Sequence, residues 1–305
     1  MKLDLDEMLQ KVQAGRWELR AIDWDAPGAD RVRPEQREQL RDFMCDLVWI
    51  EHVGARGFAA LADKAPDPRL RAIYRCFERE EEQHARAELA LMRRWGMVRP
   101  GEIPDANINV RLVVAWLDRH ADDIDFATLT CVIAMLEVAL DGALVKFLLD
   151  EVHDPVCHAV FAHINRDEAR HLAVDFHVME QNGMRPQTRA TLRMLARALH
   201  PTAALGLLVY VPLLSRMRDN LVRMGFDEER LYRAIRRFDQ VGSRSPHTRN
   251  SVAYRAIRAH GRMVVRRDHP YHYFGDAMVA LTRHIPPRLL GPLPAWAQAL
   301  SERRA

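Results

Sequence analysis

Two Glu-x-x-His pairs, each preceded by a lone glutamate at a similar distance, restrict the fold of this chain more than any other feature. The lone glutamate lies 30 residues before the glutamate of the pair in the first set and 31 in the second. The two sets are Glu51 with Glu81 and His84, and Glu137 with Glu168 and His171. Residues three apart lie on one face of a helix, so each pair can bind one metal ion. One such pair alone means little, because a motif this short arises by chance.

Helix-breaking residues lie halfway along each set, so the spacing indicates two helical hairpins. The midpoint of Glu51 and Glu81 falls in a KAPDP segment, residues 64–68, and the midpoint of Glu137 and Glu168 falls at an HDP segment. In an antiparallel helical hairpin, residues equidistant from the turn lie at the same height, since the rise per residue is constant. Two such hairpins packed together would bring four carboxylates and two imidazoles to one level of a core.

Apolar residues recur at helical spacing along nearly the whole chain, and no segment alternates like a strand. Long helices are predicted over residues 34–62, 68–96 and 125–151, and from the HDP segment to residue 183. Asp67 is expected to cap the second of these helices, with Pro68 in its first turn. A short helix at residues 110–119 is predicted in the long connection between the second and third helices.

Two helical hairpins joined by one long crossover predict an all-α protein with a ferritin-like four-helix bundle. The bundle is assigned to residues 34–183, and residues 1–33 form an N-terminal extension. Residues 184–305 are predicted to form additional C-terminal helices that pack on the bundle. This last region is basic, since the net charge from residue 215 to the end is +10, against −7 for the preceding residues.

The surroundings of the lone glutamates favour metal ions as their partners. Glu51 follows Leu47, Val48 and Ile50, and Glu137 lies within the apolar segment CVIAMLEVAL. An unpaired carboxylate on such a face carries a large desolvation cost, and no Lys or Arg lies within a turn of Glu137. Carboxylate-rich ligation with one imidazole per metal suits iron or manganese better than zinc. We therefore predict two iron ions, with a mixed Mn/Fe pair as the main alternative; the less favoured explanation is that these glutamates are only exposed or salt-bridged.

The whole pattern, with its second pair inside the string DEARH at residues 167–171, resembles the di-iron oxygenase and oxidase branch of the ferritin-like superfamily. That branch includes ribonucleotide reductase small subunits, bacterial multicomponent monooxygenases, acyl-carrier desaturases and arylamine N-oxygenases. The resemblance covers residues 34–183. It implies a non-haem di-iron enzyme that uses dioxygen for hydroxylation, desaturation or N-oxygenation of an organic substrate. A ferroxidase or iron-handling ferritin-like protein is the alternative, although the long region after the bundle suits an enzyme better.

The resemblance also implies two acidic residues that support the metal ligands. In this superfamily, the acid before a ligating glutamate often accepts a hydrogen bond from a ligand histidine on the opposite hairpin. Asp167 would then orient His84, and Glu80 would orient His171. A ligand imidazole needs a partner for its other N–H group, which agrees with this role. Glu80 also lies in a run of charged residues, for which a solvated helix face is the alternative.

Three positions depart from the relatives or extend the ligand set. Glu88 stands where ribonucleotide reductase small subunits carry a radical-forming tyrosine, four residues after the first histidine. His163 lies one position away from the extra histidine of the arylamine N-oxygenases, and it becomes an additional ligand only if a local π-bulge rotates it. Asp141, four residues after Glu137, is a candidate proton relay or ligand, with a buried hydrogen bond as the alternative.

Composition and motifs bear on the location of the protein and argue against membrane and nucleic-acid partners. The first ten residues are acidic without an apolar stretch, so no secretory signal is predicted. The longest apolar stretch, residues 203–214, is too short to span a membrane. The four cysteines form no Cys-x-x-Cys pair, which favours reduced thiols and a cytoplasmic location. No nucleic-acid recognition motif accompanies the basic residues.

The sequence carries no motif for a second redox cofactor, and this bears on the source of electrons. No flavin, nicotinamide or iron–sulfur motif occurs, so an external electron donor is expected. The substrate is expected to be a small molecule, free or tethered to a carrier protein. A stripe that includes Arg255 and Arg258 is predicted to dock an acidic carrier or donor through electrostatic attraction. The sequence leaves the oligomeric state open, with a homodimer as one option.

Overall fold

The computed structural model describes residues 3–140, 145–198, 201–282, 284–286 and 289. This part of the chain folds into α-helices and short 3₁₀ turns and contains no β-strand. The helices are α1 Leu5–Ala14, α2 Arg37–Lys64, α3 Pro68–Arg94, α4 Ile108–His120, α5 Phe126–Leu140, α6 Lys146–Glu151, α7 Pro155–Met184, α8 Thr188–Ala198, α9 Pro201–Arg223, α10 Glu229–Gly242, α11 Pro246–Asn250, α12 Val252–Val264 and α13 Pro270–Thr282.

Two helical hairpins form the centre of the molecule, as the sequence predicts. Helices α2 and α3 pair along their length around the turn at residues 64–68, and α5 pairs with α7. Contacts of α2 with α5 and of α3 with α7 close the four helices into one bundle. The crossover between the hairpins carries α4, which packs on α2. The all-α, ferritin-like four-helix bundle is therefore confirmed.

Both hairpin turns end in the same type of helix cap. The Asp67 carboxylate accepts the backbone N–H of Arg69 at 2.8 Å, and Pro68 opens α3, which confirms the predicted cap. In the second turn, Asp154 accepts the backbone N–H of Val156 at 3.0 Å before α7. An aspartate cap followed by proline fixes the position at which each returning helix begins.

The described helices differ from the predicted ones in two places. The predicted third helix, residues 125–151, is described as α5 and α6, and residues 141–144 between them lie outside the described residues. The candidate Asp141 falls in that gap. The N-terminal extension contains an amphipathic helix, α1, which is capped by Asp4 and packs on α3. Short 3₁₀ turns at residues 19–21, 29–31 and 34–36 lead from α1 to α2.

The later helices cover the outer surfaces of the bundle. Helices α10 and α12 pack on α5, α11 packs on α7, and α9 packs on α4 and α13. A buried ion pair joins α9 to α2, because Arg216 Nε donates to Asp46 Oδ2 at 2.8 Å. No helix among the described residues is long and apolar enough to cross a membrane.

Part of the predicted basic stripe is neutralised within the chain. Arg258 and Arg262, both on α12, form ion pairs with Asp239 on α10. These guanidinium groups join two helices of the same molecule. Their charge is therefore less available to an acidic partner than the sequence alone suggests.

Asp154 is expected to contribute more stability than an ordinary cap. It is 0% exposed, and its Oδ2 accepts Arg94 Nε at 2.9 Å and Trp95 Nε1 at 2.8 Å. Asp154→Ala would remove the carboxylate partner of the half-buried Arg94 guanidinium, which would keep only its bonds to the backbone oxygens of Trp24 and Ala26, and we expect a loss of about 3 kcal/mol in the free energy of unfolding. Asp67→Ala, the matched cap at the more exposed turn, should lose only about 1 kcal/mol. Urea unfolding of both variants tests this, and equal losses would contradict it.

Candidate metal centre

The six residues singled out by spacing meet in the middle of the bundle. They form two overlapping groups, and within each group the potential ligand atoms lie within 4.8 Å of one another. All six side chains are buried. The first group is Glu51, Glu81, His84 and Glu168, and the second is Glu81, Glu137, Glu168 and His171. Because Glu81 and Glu168 belong to both groups, their carboxylates lie where they can bridge two metal ions.

A glycine on α2 makes room for one of the shared carboxylates. Gly54 follows Glu51 by three residues, so both lie on the same face of α2. A Cβ atom at position 54 would overlap Oε2 and Cδ of Glu81 on the facing helix. The absence of a side chain at Gly54 therefore lets the Glu81 carboxylate lie between the two groups.

Both imidazoles present Nδ1 to the carboxylates. His84 Nδ1 lies 3.2 Å from Glu168 Oε1 and 3.4 Å from Glu51 Oε2. His171 Nδ1 lies 3.2 Å from Glu81 Oε1 and 3.3 Å from Glu168 Oε2. The same nitrogen atom thus faces the same kind of environment on each hairpin, which is the arrangement expected of one imidazole for each of two metal ions.

Acidic residues of the opposite hairpin bind the other nitrogen of each ring. His84 Nε2 lies 3.1 Å from Asp167 Oδ2, and His171 Nε2 lies 3.0 Å from Glu80 Oε2. These are the two pairs that the family resemblance implies. Arg170 joins them, since its guanidinium donates to Asp167 and, at 2.9 Å, to Glu80 Oε1. With Nε2 as the hydrogen-bond donor, Nδ1 keeps its lone pair for a metal ion.

Unsatisfied atoms at the centre show that the site fits a pair of cations. Four buried atoms that face the shared space have no well-directed hydrogen bond: Glu81 Oε1, Glu168 Oε2, His84 Nδ1 and His171 Nδ1. Buried polar atoms without partners are costly, so a ligand is expected where four converge. The four carboxylates of the two groups carry four negative charges when ionised, which two divalent ions would balance. The cluster is thus able to hold two metal ions.

Without bound metal ions, the electrostatics of the cluster favour protonation of its carboxylates and imidazoles. Burial, together with the nearby charge of Glu168, raises the pKa of Glu81 and of Glu137 well above the ordinary value. Burial would lower the pKa of His84, but its contacts with carboxylates outweigh this and raise the pKa. Metal ions and protons therefore compete for the same atoms, so lowering the pH weakens metal binding.

The remaining candidates from the sequence lie outside the two groups. The ring of His163 stacks on Trp17, with 4.8 Å between the ring centroids, and takes no part in either group. Glu88, one turn after His84, is fully buried, and neither of its carboxylate oxygens makes a well-directed hydrogen bond. Burial raises the pKa of Glu88 well above its usual value, and the negative charge of Glu51 raises it further. Glu88 therefore adds a further buried acid beside the cluster.

Sequence reasoning missed Trp17 and the role of Arg170. Trp17 Nε1 donates to Asp167 Oδ2 at 2.8 Å, the same oxygen that faces His84 Nε2. The Trp17 ring also stacks over His84, with ring centroids 6.5 Å apart. Trp17 lies in an irregular segment, where periodicity gives no signal. Arg170 stands inside the DEARH string, where a cation among acids could have indicated its bridging role.

Metal content tests whether the groups act as one two-ion centre. We expect about two iron or manganese ions per chain, one for each group. Glu137→Ala, which affects only the second group, should lose about one of them. Glu82→Ala is the matched control, because Glu82 adjoins Glu81 but pairs with Arg86 outside the cluster. Elemental analysis of purified protein measures the content, and an unchanged value for Glu137→Ala would contradict the assignment.

Comparison with known proteins finds a structural similarity at low sequence identity. No family model matches the sequence, and no curated protein matches it. The chain is similar to the solved structure of a mutant of an R2-like ligand-binding oxidase with an aerobically reconstituted Mn/Fe cofactor. Identity is 12%, the TM-score is 0.48, and the alignment covers 90% of this chain and 93% of that one. The chain therefore has an all-α fold with a central four-helix bundle, in which a buried cluster of four carboxylates and two imidazoles is able to hold two metal ions.

Proposed function

We propose that this protein is an oxidoreductase in which two iron ions, or one manganese and one iron, activate dioxygen to oxidise an organic substrate. The observation that carries the proposal is the pair of buried groups that share Glu81 and Glu168. When bound, such a metal pair supplies the electrons that reduce dioxygen. Hydroxylation, desaturation and N-oxygenation are the outcomes to be distinguished. The substrate is an organic molecule, free or carrier-tethered.

The protein's own contribution is to hold the ligands and to exclude water. Asp167 and Glu80 fix the tautomer and the ring orientation of the two histidines. Phe77 and Phe58 cover the His171 ring, with ring centroids 4.2 Å and 4.9 Å away. A dry apolar wall on this side protects reactive species from side reactions with solvent.

Ferroxidase activity is the alternative, because the same ligand set can oxidise ferrous iron as a substrate. The later helices favour the enzyme, since α9 to α13 pack over α4, α5 and α7 and so cover outer surfaces of the bundle. An iron store depends on subunits packing around a shared interior, so the assembly distinguishes the two functions. A large hollow shell in solution would support iron storage.

An external electron donor is part of the proposal, and Trp17 is the proposed point of entry. Its ring is partly exposed, and its indole N–H is linked through Asp167 to His84. Two exposed arginines belong to this region: Arg16 precedes Trp17 in the chain, and Arg166 interacts electrostatically with His163, on which the Trp17 ring stacks. A donor with an acidic surface would be attracted to this site, and salt should weaken the attraction.

Reaction with dioxygen is the direct test of function. Anaerobically reduced, metal-loaded protein should consume dioxygen on mixing with air and develop a visible or near-ultraviolet absorption. Glu168→Ala removes a ligand common to both groups, so we expect at least about a hundredfold loss of rate. Stopped-flow absorption and an oxygen electrode measure the two quantities. A loaded protein that is inert to dioxygen would exclude both the oxygenase and the ferroxidase, whereas continued turnover of added ferrous iron would favour the ferroxidase.

Trp17→Phe tests the proposed point of electron entry. The variant keeps an aromatic ring but loses the N–H group, so we expect about a tenfold slower reduction of the metal pair by a protein donor. Metal content should not change, because Trp17 is not a ligand. Trp24→Phe is the control from the same segment, since Trp24 Nε1 donates only to the backbone oxygen of Leu19. Equal rates in both variants would place electron entry elsewhere.

A further inference from the structure

A buried carboxylate on α3 lies against the first ligand group without a partner of its own. Glu88 follows His84 by four residues, so both side chains lie on the same face of the helix. Glu88 is 0% exposed, and neither of its carboxylate oxygens makes a well-directed hydrogen bond. The charged groups that act on it most strongly are Glu51, His84 and Glu81, and all three belong to the first group. Glu88 is therefore associated with one half of the metal cluster.

A structural role alone does not explain this acid. Within the described part of the chain, Glu88 forms no ion pair with an arginine or a lysine. It also acts on the buried thiol of Cys157, which carries no positive charge. A buried acid without a partner costs stability, and an apolar side chain of the same size would avoid that cost. A cation shared by Glu88 and Glu51 would remove both the missing contact and the repulsion between the two carboxylates.

The equivalent position on the second hairpin is arranged differently. Asp175 lies four residues after His171, as Glu88 does after His84. The Asp175 carboxylate is held in place, because its Oδ1 accepts the phenolic O–H of Tyr74 at 3.0 Å. Glu88 has no such donor, and its side chain is longer by one methylene group. The acid beside the second group is thus tied to a phenol, whereas the acid beside the first group is free to bind a cation.

We propose that Glu88 is an additional carboxylate ligand of the first group and makes this group the tighter of the two metal positions. This role rests on the metal pair of the proposed function and not on its reaction with dioxygen. The Glu88 oxygens lie outside the two sets of atoms that are within 4.8 Å of one another among the described residues. A glutamate side chain has three rotatable bonds, however, and no well-directed hydrogen bond restrains this one.

The extra carboxylate makes the charges of the two groups unequal. With Glu88, the first group offers four carboxylates and one imidazole, whereas the second offers three carboxylates and one imidazole. The affinity of a site with oxygen ligands rises with the number of charged ligands, and the attraction is strong where water is excluded. The ion of the first group is therefore expected to bind first and to be lost last.

Chelator competition tests the proposal in two variants that each retain one complete group. Glu137→Ala retains the first group, and Glu51→Ala retains the second. Full-length protein of each variant is loaded with Mn²⁺ and equilibrated with a graded series of chelator concentrations. Elemental analysis of the protein then gives the dissociation constant of the remaining ion. Adding Glu88→Gln should weaken binding at least about tenfold in Glu137→Ala, and by less than about twofold in Glu51→Ala.

Asp175→Asn is the matched control, since Asp175 is a buried acid at the same distance from the other ligand histidine. Added to Glu51→Ala, it should leave the affinity of the second group unchanged. If Glu88→Gln does not weaken the first group, or weakens both groups equally, the ligand proposal fails while the metal pair and the proposed function stand. If the unsubstituted protein retains no metal ion, both proposals fail.

The stability of the metal-free protein distinguishes a ligand from a structural acid. Glu88→Leu replaces the carboxylate with an apolar side chain of similar size. A ligand is costly without its ion, so the urea midpoint of metal-free Glu88→Leu should equal or exceed that of the unsubstituted protein. A lower midpoint would mean that Glu88 supports the fold through a neighbouring side chain, and it would overturn the proposal.

Discussion

Four carboxylates buried at one level of the bundle determine much else in the structure. Removing each charge from water costs several kcal/mol even after the protein relaxes, so the carboxylates are stable there only with cations or protons between them. The two imidazoles meet this need only in part, and their Nδ1 atoms have no well-directed hydrogen bond. Arg170 is placed outside, between Asp167 and Glu80, where its charge supports the acids without entering the centre. The protein thus keeps its own cations away from the centre, which leaves the space for metal ions.

Regular geometry is what made much of this arrangement predictable. A helix rises by a constant amount per residue, so Glu51 and Glu81 had to lie at one height once the turn between them was recognised. The turn was recognisable because Asp67 and Pro68 are local signals for a helix start. The same reasoning applied to the second hairpin, although the segment at residues 141–144 and the candidate Asp141 lie outside the part of the chain that the structure describes.

Contacts between distant segments could not be predicted in this way. Trp17 reaches Asp167 across 150 residues from a segment of 3₁₀ turns, and no periodicity links the two. His163 faces Trp17 and not the cluster because it lies on a different side of α7 from Glu168 and His171. A count of arginines gave the sign of the charge on α12 but not the ion pairs of Arg258 with Asp239. These features depend on tertiary packing, for which one sequence carries little information.

The hydrogen bonds that cross between the two hairpins, from each histidine to an acid of the other hairpin, have a consequence for the symmetry of the site. Each hairpin contributes the acid that holds the histidine of the other, so neither half completes its own metal support. This reciprocity is the rule at an isologous interface of a two-fold dimer, where residue i contacts j and j contacts i. The arrangement is what duplication and fusion of a single self-associating hairpin would produce. The two halves are not equivalent in this structure, because Trp17 donates a hydrogen bond to Asp167 on one side of the site. The surroundings of the two ligand groups are consequently unequal, so two identical ions placed in them would experience different fields.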